Sequence, residues 1–211
     1  MPVPDRLRLR WRSRGTASDA GDPLMWVADE VLVDRVADGD AAALAALYRR
    51  YGGRLFGFVQ RYERDRMVAE EILQDTLLAV WRSAHQYAGR SSVQTWLFGI
   101  ARRQAHNRLR VRQPQQVPLG GDGLASWVDP APGPGEWAIA NAQGAALAAA
   151  IDALAPQHRE VLALAFGAQV PHREIAEILG VPVGTVKSRL HHARAALARA
   201  MADRGYVEEM P

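Results

Sequence analysis

The chain has 211 residues, of which 48% are hydrophobic, and its 26 basic and 23 acidic groups leave a formal net charge of +3. That length suits one medium domain or two small ones, and the apolar content excludes wholesale disorder. There is no cysteine, so disulfides, thiolate metal sites and cysteine nucleophiles are excluded.

Residues 1–22 carry alternating arginines (Arg6, Arg8, Arg10, Arg12, Arg14) with no apolar stretch after them. A secretory signal needs that stretch, so the segment is expected to be a flexible basic tail. No apolar run in the chain approaches the ~20 residues of a membrane span, so no membrane insertion is expected. Leu24–Val36 is the first predicted helix, ended by Asp38-Gly39. Asp40 is placed to cap a second helix through Arg50, because its carboxylate can accept the free N–H groups of a first turn. Gly52-Gly53 is expected to interrupt it before Arg54–Tyr62. Asp65 is the expected cap of the next helix, in which Val68, Ile72, Leu73, Leu77, Val80 and Trp81 recur at helical spacing to about Ala84. His85–Arg90 reads as a loop with Gly89 as its breaker. Ser91 and Gln94 fit an S-x-x-Q capping box opening a helix to about Arg110.

The composition then changes. Residues 111–135 hold five prolines and five glycines without periodicity, which predicts a flexible linker. Beyond it, Glu136–Leu154 is an alanine-rich helix, and Pro156 suits the first turn of another ending near Phe166. Two short helices follow, His172–Leu179 and Pro182–Met201, joined at Gly180-Val181. No stretch alternates over strand length. The expected fold is all-α, with two helical domains (23–110 and 136–203) and tails at 1–22 and 204–211. The last segment is too short for a further domain.

Charge is unevenly spread. Glu63, Asp65, Glu70, Glu71 and Asp75 crowd one stretch, whereas Arg102–Arg112 holds five arginines and no acid, and Val183–Met201 holds Lys187, Arg189, Arg194 and Arg199 and no acid. Separate acidic and basic faces fit a protein partner on one and nucleic acid on the other. Lys187 is the only lysine, as a GC-rich genome would produce.

The segment His172–Leu197 has the spacing of a helix-turn-helix. Ala176 is the small residue where two helices cross, Gly180 permits the sharp turn, and Val186 is the apolar plug. Ile175, Leu179, Val181 and Leu190 complete a small core. In that motif the second helix enters the major groove. Lys187 and Arg194 can donate to guanine or phosphate, Ser188 can bond either way, and His191 and His192 share the polar surface. Adjacent histidines on a helix diverge by about 100°, so a zinc site there is not expected. In the first half, a polar loop backed by an arginine-bearing helix could hold a splayed single strand. Trp81 and Trp96 read as core rather than stacking platforms. No nucleophile–base pair, metal cluster or phosphate loop is legible, so neither catalysis nor a cofactor nor a small-molecule substrate is expected.

Two segments resemble a known family. Glu71, Gln74, Asp75, Trp81, Thr95, Trp96, Leu97, Ile100, Ala101 and Arg102 match region 2 of the extracytoplasmic-function (ECF) sigma factors of the sigma-70 family. Leu154, Arg159, Val161 and Leu164, then Glu174 to Leu190, match region 4. The resemblance covers about residues 34–110 and 138–201. The chain departs from the usual pattern in four places: Ala155 for proline, His192 for arginine, Leu73 for valine, and the pair Tyr87-Ala88 for an aromatic-Asp pair.

The resemblance implies a transcription initiation factor. Its partners would be core RNA polymerase (β′ clamp helices and β flap), promoter DNA and an anti-sigma factor. Glu71, Gln74 and Asp75 would contact polymerase. His85, Gln86, Arg90, Ser91, Arg102, Arg103, Asn107 and Arg108 would contact the −10 element. Arg173, Thr185, Lys187, Ser188, His191, His192 and Arg194 would contact the −35 element. The protein would be cytoplasmic, at the nucleoid or held at the membrane by its anti-sigma factor. A conventional helix-turn-helix regulator of duplex operators is the alternative reading.

Overall fold

A computed structural model of the chain describes residues 23–112 and 144–204. The expected linker, the start of the alanine-rich helix and both tails lie wholly or mostly outside the described residues. Four helices form the first half: α1 (Asp29–Ala37), α2 (Ala41–Val59), α3 (Arg66–Ser83) and α4 (Val93–Arg112). Four more form the second: α5 (144–152), α6 (Pro156–Leu162), α7 (His172–Leu179) and α8 (Val183–Ala202). There is no strand among the described residues.

α1 begins five residues later than periodicity predicts. The Arg50 guanidinium explains this. Its Nη2 donates to the carbonyls of Leu24 (3.2 Å), Met25 (2.7 Å) and Val27 (3.0 Å), and its Nη1 pairs with Asp29. Carbonyls turned towards Arg50 are not available to a helical ladder, so 23–27 is a turn. Asp29 also accepts from the Tyr51 hydroxyl, which fixes the first turn of α1 on α2.

The expected break at Gly52-Gly53 does not occur; α2 runs straight through it. Two helical glycines cost about 2 kcal/mol relative to alanine. Against that, each of Leu47, Leu55 and Phe58 is 2% exposed or less and contributes roughly 1.5–3 kcal/mol. Burial therefore outweighs propensity. Gly52 is itself in the packing, because a Cβ there would lie 2.6 Å from Cε2 of the Tyr48 ring.

The caps at Asp40 and Asp65 form as expected. Asp40 accepts from the N–H groups of Ala42 and Ala43, and Asp65 from those of Met67 and Val68. The cap of α4 is displaced by one residue: Ser92, not Ser91, accepts from the Thr95 N–H at 3.2 Å. Ser91 instead offers its carbonyl to the Tyr87 hydroxyl at 2.7 Å. The helix predicted from Pro156 to Phe166 is α-helical only to Leu162. It then widens into a π turn, Ala163–Gly167, closed by Ala168 N–H to Ala163 O at 2.9 Å.

Apart from Ala150, the buried apolar residues among those described form one continuous cluster drawn from both halves. α4 is the central element: it packs on α2 and α3 in its own half and on α7 in the other. Arg159 Nη1 donates to the Asp152 carbonyl, tying α5 to α6.

Candidate nucleic-acid interface

α3 presents two faces. Ile72, Leu73, Thr76, Leu77, Val80 and Trp81 are buried, whereas Glu71, Gln74 and Asp75 are exposed on the opposite side. Thr76 would be an orphan polar group in that core, but its hydroxyl donates to the Ile72 carbonyl at 2.7 Å. Trp81 is core, as expected.

The loop after α3 is more ordered than the sequence predicts. Ala84–Gln86 makes a 3-10 turn that includes His85 and Gln86. Tyr87 then folds down, its hydroxyl on Ser91 O and its ring 5.2 Å from that of Trp96. Gly89 takes φ +65°, the left-handed region where its missing Cβ avoids a clash. The result is a pinned tip with His85, Gln86 and Arg90 exposed and Ser91 half-buried. Trp96 is half-buried against Tyr87 and packed on the core.

α4 carries the arginines. Arg103 and Asn107 are exposed. Arg108 is bound to Glu71 on α3, so a residue expected to meet DNA and one expected to meet polymerase share an ion pair. Arg102 lies elsewhere: its Nε donates to Glu160 Oε1 of α6 at 2.7 Å.

The helix-turn-helix forms as predicted. Gly180 adopts φ +66°, and two hydrogen bonds close the end of α7: Gly180 N–H to Glu177 O and Val181 N–H to Ala176 O. That 5→2 and 6→1 pair is a Schellman motif. It turns the chain so that fully buried Val186 plugs the gap between α7 and α8. Lys187, Ser188, His191, His192 and Arg194 are all exposed on α8. At 100° per residue they span an arc of about 160°. Thr185 is half-buried, and Arg173 is exposed on α7. The Arg194 guanidinium lies 5.0 Å from the centre of the exposed Phe166 ring. His192 stacks loosely on His158 at 6.4 Å. Among the described residues no group of three or more His, Asp or Glu is placed to hold a metal.

The pairings at the junction of the halves escaped sequence reasoning. Glu160, 9% exposed, accepts from the Tyr62 hydroxyl as well as from Arg102, with His106 Nε2 3.8 Å away. Burial, and then the Glu160 carboxylate, push the Tyr62 hydroxyl well above its ordinary pKa. Glu174 of α7 accepts from the hydroxyls of Ser92 (2.5 Å) and Thr95 at the start of α4. The Ala168 carbonyl accepts from Gln94 Nε2 at 2.6 Å. No local pattern could have paired groups 54 to 98 positions apart.

Comparison with known proteins decides what these modules are. The Sigma-70 region 2 family matches residues 47–115, and the Sigma-70 region 4 family matches residues 144–197. The ECF RNA polymerase sigma factor RpoE of Cereibacter sphaeroides is 34% identical over 180 residues, covering 83% of this chain and 94% of its own. This chain belongs to the ECF sigma factors. Two solved structures share the fold. CnrH, in complex with the cytosolic domain of CnrY, is 24% identical with a TM-score of 0.61, covering 85% of this chain and all of that one. RpoE of Bartonella quintana, in complex with the anti-sigma factor NepR, is 22% identical with a TM-score of 0.56, covering 70% of this chain and 89% of its own. An ECF sigma factor accounts for the region 2 module, which the conventional-regulator reading leaves without a purpose. Among the described residues, no helix is long and apolar enough to cross a membrane.

Proposed function

We propose that each half of this sigma factor handles a different part of the promoter. The exposed Glu71, Gln74 and Asp75 face of α3 docks on the β′ clamp helices of core RNA polymerase, and the second half meets the β flap. The loop tip (His85, Gln86, Arg90, Ser91) and α4 (Arg102, Arg103, Asn107, Arg108) hold the −10 element as an unpaired strand, with arginines on phosphates. α8 enters the major groove of the −35 element, with Lys187, Ser188, His191 and His192 towards base edges and Thr185, Arg173 and Arg194 towards the backbone. Polymerase supplies the chemistry. An anti-sigma factor, as held by the structurally similar RpoE of Bartonella quintana, is the expected antagonist.

The observation that carries this reading is the order of the two modules along the chain. An acidic helix face and a loop-backed arginine helix precede a complete helix-turn-helix whose reading surface is open. Co-elution of the full chain with sigma-free core polymerase tests the docking face. The wild-type chain is expected to co-elute. Asp75→Arg reverses a charge at that face and is expected to weaken the complex at least about tenfold, or about 1.4 kcal/mol. Equal co-elution of the variant would remove α3 as the docking face.

A further inference from the structure

Three of the chain's six histidines meet at one place in the second half. The ring centres of His191 and His192 are 5.6 Å apart, and His158 of α6 stacks on His192 at 6.4 Å with the rings 29° from parallel. At about 100° per residue, Ser188 lies between His191 and His192, opposite the buried stripe of Val186, Leu190 and Ala193. The two exposed histidines therefore flank the outermost line of α8. Half-buried His158 continues that surface onto a second element.

The surroundings hold no counter-charge for these rings. α8 carries Lys187, Arg189, Arg194 and Arg199 and no acid. α6 and α7 pack against it. On α6, Arg159 donates to the Asp152 carbonyl, and Glu160 is taken by Arg102 and Tyr62. On α7, Glu174 is taken by Ser92 and Thr95, and the remaining charged or titratable groups are His172, Arg173 and Glu177. Asp152, at the end of α5, pairs with Arg64 at 3.3 Å. Among the described residues no carboxylate pairs with His158, His191 or His192. A neutral imidazole has one N–H donor and an imidazolium has two. Charge on one ring opposes charge on the next at this separation. Guanine O6 and N7 and the phosphate oxygens of a duplex are the acceptors that would offset it.

We propose that His158, His191 and His192 act as one proton-linked contact to duplex DNA. The inference rests on the reading of α8 as the −35 helix. His191 and His192 donate to base-edge acceptors, and His158, one element away, donates to a flanking phosphate. Each proton comes from solvent and stays on its ring while the duplex is bound. Binding therefore takes up protons, and by linkage affinity rises as pH falls through the range in which histidine changes charge.

Anisotropy titration of the full chain against a labelled GC-rich duplex at low salt, from about pH 8 to about pH 6, tests this. Carboxylates, lysine and arginine keep their charge across that range. Wild type is expected to tighten roughly tenfold more than the variant carrying His158→Gln, His191→Gln and His192→Gln together, an average uptake of about half a proton. His158→Gln alone should remove part of that gain. His192→Arg makes one charge permanent, so it should bind more tightly than wild type at about pH 8 and respond less to pH. An equal pH response in wild type and the triple variant would overturn the proposal. A full response in His158→Gln would overturn the place of α6 in it. No duplex binding at any pH, by wild type included, would instead break the reading of α8 on which the inference rests.

Discussion

The two helices proposed to read DNA differ in how their polar groups are held. On α8, Lys187, Ser188, His191 and Arg194 face solvent, and the packing beneath them is finished by Val186 and Leu190. On α4, Gln94, Thr95 and Arg102 are already bonded to the other half of the molecule. The proposed substrates offer a reason for the difference. A duplex groove accepts a whole helix, so a reader of duplex can stay open on a rigid core. A single strand needs charged and hydroxyl-bearing pockets, and those same groups bind any carboxylate that comes near.

The largest effect comes from removing the support of the open reader. Val186→Asp puts a charge at a fully buried site and is expected to cost about 3–5 kcal/mol. In denaturant unfolding followed by circular dichroism the second half should unfold separately from the first. A single unshifted transition would contradict the role of Val186 as the plug.

Lys187→Ala tests the reading surface itself. It is expected to weaken duplex binding by about 1–3 kcal/mol if Lys187 meets a base edge. Anisotropy titration against a −35 duplex measures this, and a loss uniform across sequences would move Lys187 to the backbone. Gly180→Ala leaves all contacts in place but forces a Cβ into the left-handed region, at about 1–2 kcal/mol. It should lower the thermal midpoint of the second half.

The smallest effect is one of pH. Burial, with the Glu70 charge adding to it, pushes the Tyr48 hydroxyl up to about 12. Tyr51 and Tyr62 are also raised, chiefly by burial, and then by Asp29 and Glu160 respectively. The native chain keeps protons that the unfolded chain releases near pH 10. These tyrosines therefore contribute stability that is complete below pH 10 and is lost as pH rises above it. Tyrosinate absorbance should lag and then appear together with loss of helix. Titration of every tyrosine near pH 10 with helix intact would contradict their burial.

Elements set by local chemistry were legible in the sequence. Asp65 caps α3 because a short carboxylate reaches its own first turn, and α7 and Gly180 lie where spacing predicts. Elements decided by contact were not. Gly52-Gly53 reads as a break, yet the burial of Leu55 and Phe58 carries α2 through it. The S-x-x-Q pattern points to Ser91, yet Ser91 O is held by the Tyr87 hydroxyl and Ser92 takes the cap. Arg102 reads as a free basic group because Glu160, 58 residues away, leaves no local trace.

The most direct measurement is sequencing of run-off transcripts made by sigma-free core polymerase, GC-rich genomic fragments and the purified chain. The account predicts discrete start sites that depend on the chain, share upstream −35 and −10 elements, and weaken with Asp75→Arg. No added transcription, together with tight binding of the chain alone to a palindromic duplex, would contradict it.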